Sequence, residues 1–281
     1  MTQLREIKKW IRGQMTSDGA GVSLRRLIAS HELDMLDPFL LFDAFGSSNP
    51  DDYIAGFPPH PHRGFETVTY MLAGKMRHED SAGNAGVIET GGVQWMTAGR
   101  GIIHSEKPEQ EAGLLAGFQL WVNLPAGQKM MPPRYQEKAA EEIREEIREG
   151  GLQIRVVAGE TRQGTKGVID NSFVEPLYFV MNAPTDTVFE DAIPAGHNAF
   201  VYVAKGRVQI GDKAISVPEN GLAVLTEGDA VKIRAEADSV YIVVAGKPLN
   251  EPVERAGPFV MNTRAELEQA FDDYRNGRLA G

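Results

Sequence analysis

Short apolar and β-branched runs, each closed by glycine or proline, recur along this chain and restrict it to an antiparallel β architecture. Residues 65–72 (FETVTYML) run into Ala73-Gly74-Lys75. Residues 87–89 end at Gly91-Gly92, residues 93–97 at Gly99-Arg100-Gly101, and residues 117–124 at Pro125. The pattern returns at 177–181, 199–203, 208–210, 223–225, 231–233 and 239–244. Strands this short, spaced roughly 8–12 residues apart, predict sandwiches or barrels. The 30 Gly and 16 Pro supply the turns such folds need.

The two halves echo each other. TVTYMLAG at 67–74 aligns with AFVYVAKG at 199–206, and ETGG at 89–92 with PENG at 218–221. A length of 281 residues accommodates two domains of ordinary size, so duplication of one β-domain is the economical reading. Residues 1–135 form the expected first barrel and residues 151–281 the second. Between them, residues 136–150 are rich in Glu, Arg and Ala. Ile143 and Ile147 lie four apart, which suits a charged linker helix, with a charged irregular strand as the alternative. In the tail, residues 264–278 have helical periodicity; Thr263 and Glu266 fit a capping box and Gly277 a C-terminal cap.

Composition excludes several classes of function. With no cysteine there is no disulfide scaffold, thiolate metal site or cysteine nucleophile. No apolar run approaches the roughly 18 residues of a membrane span. Residues 1–15 are polar and charged, unlike a signal peptide, so a cytoplasmic protein without a membrane partner is expected. The net charge of −10 argues against direct nucleic-acid binding, which requires a basic face. The same charge disfavours self-association, and a monomer is expected. Charge is uneven: residues 1–135 hold 13 basic and 15 acidic side chains, leaving 16 and 24 of the total 29 and 39 for the remainder, or net −2 and −8.

Five of the six histidines, His31, His60, His62, His78 and His104, lie in the first half. Along a strand, residues i and i+2 share a face. His60 and His62 therefore aim at one point, with Glu66 at the same parity; about 40 residues on, His104 and Glu106 form a second such pair. Two pairs on neighbouring strands can converge on one metal ion. A mixed imidazole and carboxylate set suits Fe, Mn, Co, Ni, Cu or Zn. Glu66 fits the position of a partner that orients one imidazole.

This spacing resembles the cupin superfamily motifs G-x5-H-x-H-x3,4-E-x6-G and G-x5-P-x-G-x2-H-x3-N, with departures. The interval from Gly56 to His60 is short, Gly74 falls one residue late, Thr97 or Ala98 replaces the proline, and Glu106 enters near the asparagine position. Those departures match one branch. PHPHRGFETVTY (59–70), GGVQWMTAGRGIIHSE (91–106), FQLWVNLP (118–125), PPRYQ (132–136) and GPFVMNTRAELEQAFDDYRNG (257–277) all resemble the pirin family. The resemblance covers most of the chain, at both ends. It implies an all-β fold of two tandem cupin-type β-barrels (double-stranded β-helix or jelly roll) with a C-terminal helix.

It further implies one divalent metal per chain, Fe(II) first among the candidates, held by His60, His62, His104 and Glu106. The second barrel is expected to be metal-free: residues 194–200, where the first motif would repeat, hold only His197. Several pirins resemble quercetinases. The expected activity is therefore of the quercetin 2,3-dioxygenase type, in which O2 opens a flavonol ring with release of CO. Glu106 is the candidate base. Phe57, Met71, Met96 and Phe118 are either pocket lining or plain core, and His78 is a candidate for the substrate rim. Arg63 and Arg100 would either steer an acidic substrate or make salt bridges in the barrel wall. The alternative reading is a non-enzymatic, redox-sensitive iron-binding regulator acting through a protein partner, because a fold does not fix a function.

Overall fold

The computed structural model describes residues 3–280, which divide into two compact units. Both are two-sheet β structures, and their sheets follow the same order of strands. In the unit containing the histidines, a seven-stranded sheet runs Arg134–Lys138, Val93–Thr97, Phe65–Ala73, Leu115–Asn123, Phe39–Ser47, Val22–Ile28, Gln14–Asp18. A four-stranded sheet runs Phe57–His62, Ile102–Pro108, Lys75–Asp80, Ala85–Glu89. In the other unit the seven strands are Ile7–Ile11, Leu222–Leu225, Asn198–Lys205, Ser239–Gly246, Leu177–Ala183, Gln153–Ala158, Arg144–Ile147. Its four-stranded sheet is Val188–Ala192, Ala230–Ala235, Arg207–Ile210, Ile215–Pro218. The matching order fits the duplication expected from the local sequence echoes. No helix among the described residues is long and apolar enough to cross a membrane.

Three boundaries differ from the sequence reading. Residues 136–150 do not form a linker helix but take the strand alternative. Arg134–Lys138 is the edge strand beside Val93–Thr97 in one unit, and Arg144–Ile147 is the edge strand beside Gln153–Ala158 in the other. Ile143 is buried while Ile147 is 66% exposed, so the two do not make one apolar stripe. Open sheet edges supply backbone partners that outweigh the local helical propensity of Glu and Ala. Next, the N-terminal strand Ile7–Ile11 pairs with Leu222–Leu225 and belongs to the unit Met1–Gly13, Leu36–Pro38, Glu141–Pro248. It occupies the edge that Arg134–Lys138 occupies in the other sheet. Last, the terminal helix Arg264–Arg275 belongs to the unit Gln14–Met35, Phe39–Ala140, Leu249–Gly281, with the histidines, and not to the second barrel. Its capping box is as expected: the Thr263 side chain accepts from the Glu266 backbone N–H and Glu266 accepts from that of Thr263.

The units differ most in what fills them. The core of the second is continuous and apolar, built by alternating residues such as Ala199, Val201 and Val203 and, across from them, Val208, Ile210, Val231 and Ile233. The unit with the histidines has an apolar cluster of Val22, Leu24, Phe45, Met71, Met76, Ile88 and Leu115. It also buries His62, Glu66, Thr69, His78, His104 and Glu106. Buried polar side chains of that density mark a site, because each costs desolvation energy unless something pairs with it.

Candidate metal centre

The site is built by two neighbouring antiparallel strands of the four-stranded sheet. His104 lies opposite His60 and Ile102 opposite His62, so the backbone ladder brings three imidazoles to one spot. Ring centroids are 4.4 Å apart for His60–His104, 4.7 Å for His60–His62 and 5.0 Å for His62–His104. One ring nitrogen from each of the three lies within 4.8 Å of the others. The Nε2 atoms of His60 and His62 are 3.0 Å apart. Along Ile102–Pro108 burial alternates, so Ile102, His104 and Glu106 point inward together. The register slips between His104 and Glu106, placing Glu106 opposite Phe57 on one side and His78 on the other. Glu106 is buried and lines the same cavity as His60 and His62, but its carboxylate falls outside the tight group formed by the three histidines.

Burial holds the His62 and His104 imidazoles neutral. The His62 pKa lies well below its usual value, chiefly through desolvation and then through the neighbouring His104 and His60. Burial likewise brings His104 down to about 4, against the opposing pull of the Glu106 carboxylate. A neutral imidazole is the form that binds a metal. Both ring nitrogens of His104 are buried without a hydrogen-bond partner. An unpaired buried polar atom is costly, and a coordinated cation would satisfy one of these two. The donor set thus fits a divalent metal.

Above the histidines lies a cavity of about 690 Å³. Leu24, Leu41, Phe45, Phe57, Met76 and Trp121 give it apolar walls. Trp121 stands edge-on to His62 at 5.3 Å and packs on Phe65 at 4.3 Å. Polar groups enter at defined points. Thr69 Oγ1 donates to Gln119 Oε1 at 2.8 Å, and Arg26 grips Asp43 through two bonds of 3.0 and 2.7 Å. Burial pushes the Asp43 carboxyl up to about 6 despite that guanidinium.

The other residues singled out in the sequence are dispersed. Glu66 is fully buried and accepts the Thr97 hydroxyl at 2.7 Å. His78 is not at an exposed rim. It points inward from Lys75–Asp80, is 4% exposed, meets Glu137 Oε2 at 2.7 Å and stacks on Tyr135. Phe57 lines the cavity, while Met71, Met96 and Phe118 belong to the packed interior. Arg63 is buried and pairs with Asp273 of the terminal helix at 2.8 Å, the wall salt bridge of the two expected roles. His197 meets the Glu175 carbonyl oxygen at 3.1 Å, and burial lowers its pKa.

Arg26 and Asp43 lie in no motif, and Gln119 and Trp121 lie in FQLWVNLP, a string that does not single them out as site residues. Only their inward parity on strands Val22–Ile28, Phe39–Ser47 and Leu115–Asn123 could have pointed to them.

Comparison with known proteins places this geometry. The chain is 48% identical over 276 residues to a pirin-like protein of Caulobacter vibrioides, covering 98% of this chain and 99% of that one. It is 47% identical over 284 residues, the whole of both chains, to a Pseudomonas aeruginosa protein provisionally named quercetin 2,3-dioxygenase. A crystal structure of a quercetin 2,3-dioxygenase from Acinetobacter baumannii superposes with a TM-score of 0.91 at 35% identity, covering 99% of each chain. The pirin domain matches residues 21–122 and the pirin C-terminal cupin domain residues 178–280. With its two cupin barrels and its histidine cluster in the first, this chain belongs to the pirin family.

Proposed function

We propose that this protein is a metal-dependent dioxygenase of the quercetin 2,3-dioxygenase type, acting on a flavonol-like aromatic substrate. The observation that carries this reading is the three-histidine cluster set against an apolar-walled cavity of about 690 Å³. That volume falls in the range of small-molecule sites, and flat walls such as Trp121 and Phe57 suit a planar ring system. The likeness to the Acinetobacter baumannii enzyme supports the same reaction class.

His60, His62 and His104, with Glu106 as the fourth ligand, would hold one divalent ion, iron(II) being the ion expected for this family. When bound, such an ion supplies Lewis acidity to a phenolic oxygen and a redox partner for O2. The chain's own side chains do the remainder. Leu24, Phe45 and Phe57 exclude water from the bound ring. Glu106 accepts the proton of the flavonol 3-hydroxyl on a carboxylate oxygen. Gln119 and Arg26 offer donors to the polar edge of the substrate. Glu66 braces Thr97, whose hydroxyl it accepts at 2.7 Å, and is hydrogen-bonded to none of the three imidazoles, so the orienting role expected of it is not carried over. The net reaction consumes one O2, opens the central ring and releases one CO.

The test is anaerobic reconstitution with Fe(II), followed by quercetin and O2, recording flavonol absorbance and evolved CO. Metal-dependent loss of absorbance with equimolar CO, absent in His62→Ala, is the expected result. One iron bound per chain without CO release would overturn the reading and leave a regulatory metalloprotein.

A further inference from the structure

A second cavity of about 440 Å³ lies in the same unit and shares no lining residue with the one above the histidines. Its chemistry is different. Arg100 and Arg134 both line it, both are exposed, and neither pairs with an acidic side chain among the described residues. The Arg134 Nε donates only a long bond, 3.4 Å, to Thr97. The Arg100 side chain has no partner among the described residues, although its carbonyl oxygen accepts from Arg63. Guanidinium groups are planar forks that match a carboxylate or phosphate. Two left unpaired at one concavity are a recognition element waiting for an anion.

The rest of the wall sets which anion. Asp80 also lines the cavity, and its carboxylate is fixed by the backbone N–H groups of Ala82 and Asn84 and by the Asn84 amide, at 2.8–2.9 Å. That fixed negative charge leaves the walls with a net charge of only about one positive unit. A monoanion is therefore favoured over a phosphate dianion, which the carboxylate repels. Pro132, Pro133 and the ring of Tyr135 supply apolar surface, so the anion's body is apolar or aromatic. Tyr135 is held in place by its stack on His78 at 5.7 Å.

We propose that this cavity is a binding site for a small organic monocarboxylate, its carboxylate held between Arg100 and Arg134 and its apolar body against Pro132, Pro133 and Tyr135. The site is independent of the oxygenase reading, because it uses none of the metal ligands.

Benzoate, benzamide and phenyl phosphate are the probes, titrated calorimetrically into the full metal-loaded protein. Benzoate should bind saturably, with phenyl phosphate at least fivefold weaker and neutral benzamide at least tenfold weaker. Arg100→Gln and Arg134→Gln should each weaken benzoate at least fivefold, and the double variant should abolish it. Both side chains are exposed, so the melting temperature without ligand should not change. Equal binding of benzoate and benzamide to the unaltered protein would overturn the proposal without recourse to any variant. Benzoate binding that persists in the folded double variant would do the same, by placing the anion at the metal centre instead.

Discussion

His104 is buried with both ring nitrogens unpartnered, a cost that a bound metal would relieve at one of them. Its ring is 1% exposed, and burial brings its pKa down to about 4. A core histidine would normally be anchored by a carbonyl or hydroxyl oxygen, as His197 is by Glu175. Replacing His104 or His60 with Ala should abolish stoichiometric metal binding, measured by elemental analysis of the purified protein. A full metal complement in both variants would remove the assignment. Glu106→Gln preserves shape and hydrogen-bonding capacity but removes the proposed base. Turnover should fall by roughly 10²–10⁴, with little change in melting temperature; unchanged turnover would exclude Glu106 from proton transfer. At this scale the three histidines were legible because i, i+2 parity is local. The packing of Trp121 against His62 was not, since residues 59 positions apart meet only when the sheets form.

Strands and turns explain how the ligand segment is held. Phe57–His62 ends at Arg63-Gly64, and Gly64 adopts φ +88° with no room for a side chain, since a Cβ there would lie 1.9 Å from the Val260 carbonyl oxygen. Lys129 secures the same point. Its buried ammonium donates to Gly64 O at 2.7 Å, Asn123 Oδ1 at 2.6 Å and Val260 O at 3.1 Å. Lys129→Met would take a charged donor from three buried acceptors, of which Asn123 Oδ1 keeps the Leu124 N–H at 3.0 Å, and should cost about 3 kcal/mol, read from denaturant unfolding. The same residue has a pH signature. Burial lowers its pKa from the ordinary 10.5 to about 8, outweighing Glu251 and Glu266. In the unfolded chain Lys129 keeps its proton up to about 10.5, while the folded chain loses it near 8. The unfolded state then binds more protons in that window, so this residue makes stability rise with pH from about 8 to 10.5. The contribution should vanish in Lys129→Met; identical slopes in both proteins would refute it. No sequence pattern marks Lys129, because an isolated lysine between Gln128 and Met130 reads as a surface charge.

Across the whole molecule, the terminal helix serves the barrel that carries the histidines. Arg63, adjacent to His62, pairs with Asp273 of that helix, and the Arg63 side chain is only 4% exposed. Asp273→Ala should destabilise this unit by about 2 kcal/mol: the pair lies between an exposed bridge and a fully buried one. Thermal unfolding followed together with metal release checks this. Loss of stability without earlier metal release would detach the helix from the centre. A sequence reading assigned the helix to the second barrel because chain neighbours are the default partners. The N-terminal strand chooses among sheet edges and the C-terminal helix among apolar faces, where Leu267 and Ala270 pack with Phe259 and Met261; no local pattern encodes either choice.

Sequence alone determined the β architecture, the duplication, the capped terminal helix and the convergence of His60, His62 and His104. All of these rest on periodicities of two or 3.6 residues and on side-chain chemistry, which act over a few positions. Tertiary structure decided the rest: which edge strand completes which sheet, that His78 is buried and not at a rim, and that Arg100 and Arg134 meet at one cavity. Those outcomes depend on contacts between residues far apart in the chain, where the energy of pairing a free sheet edge or filling a core exceeds any local preference.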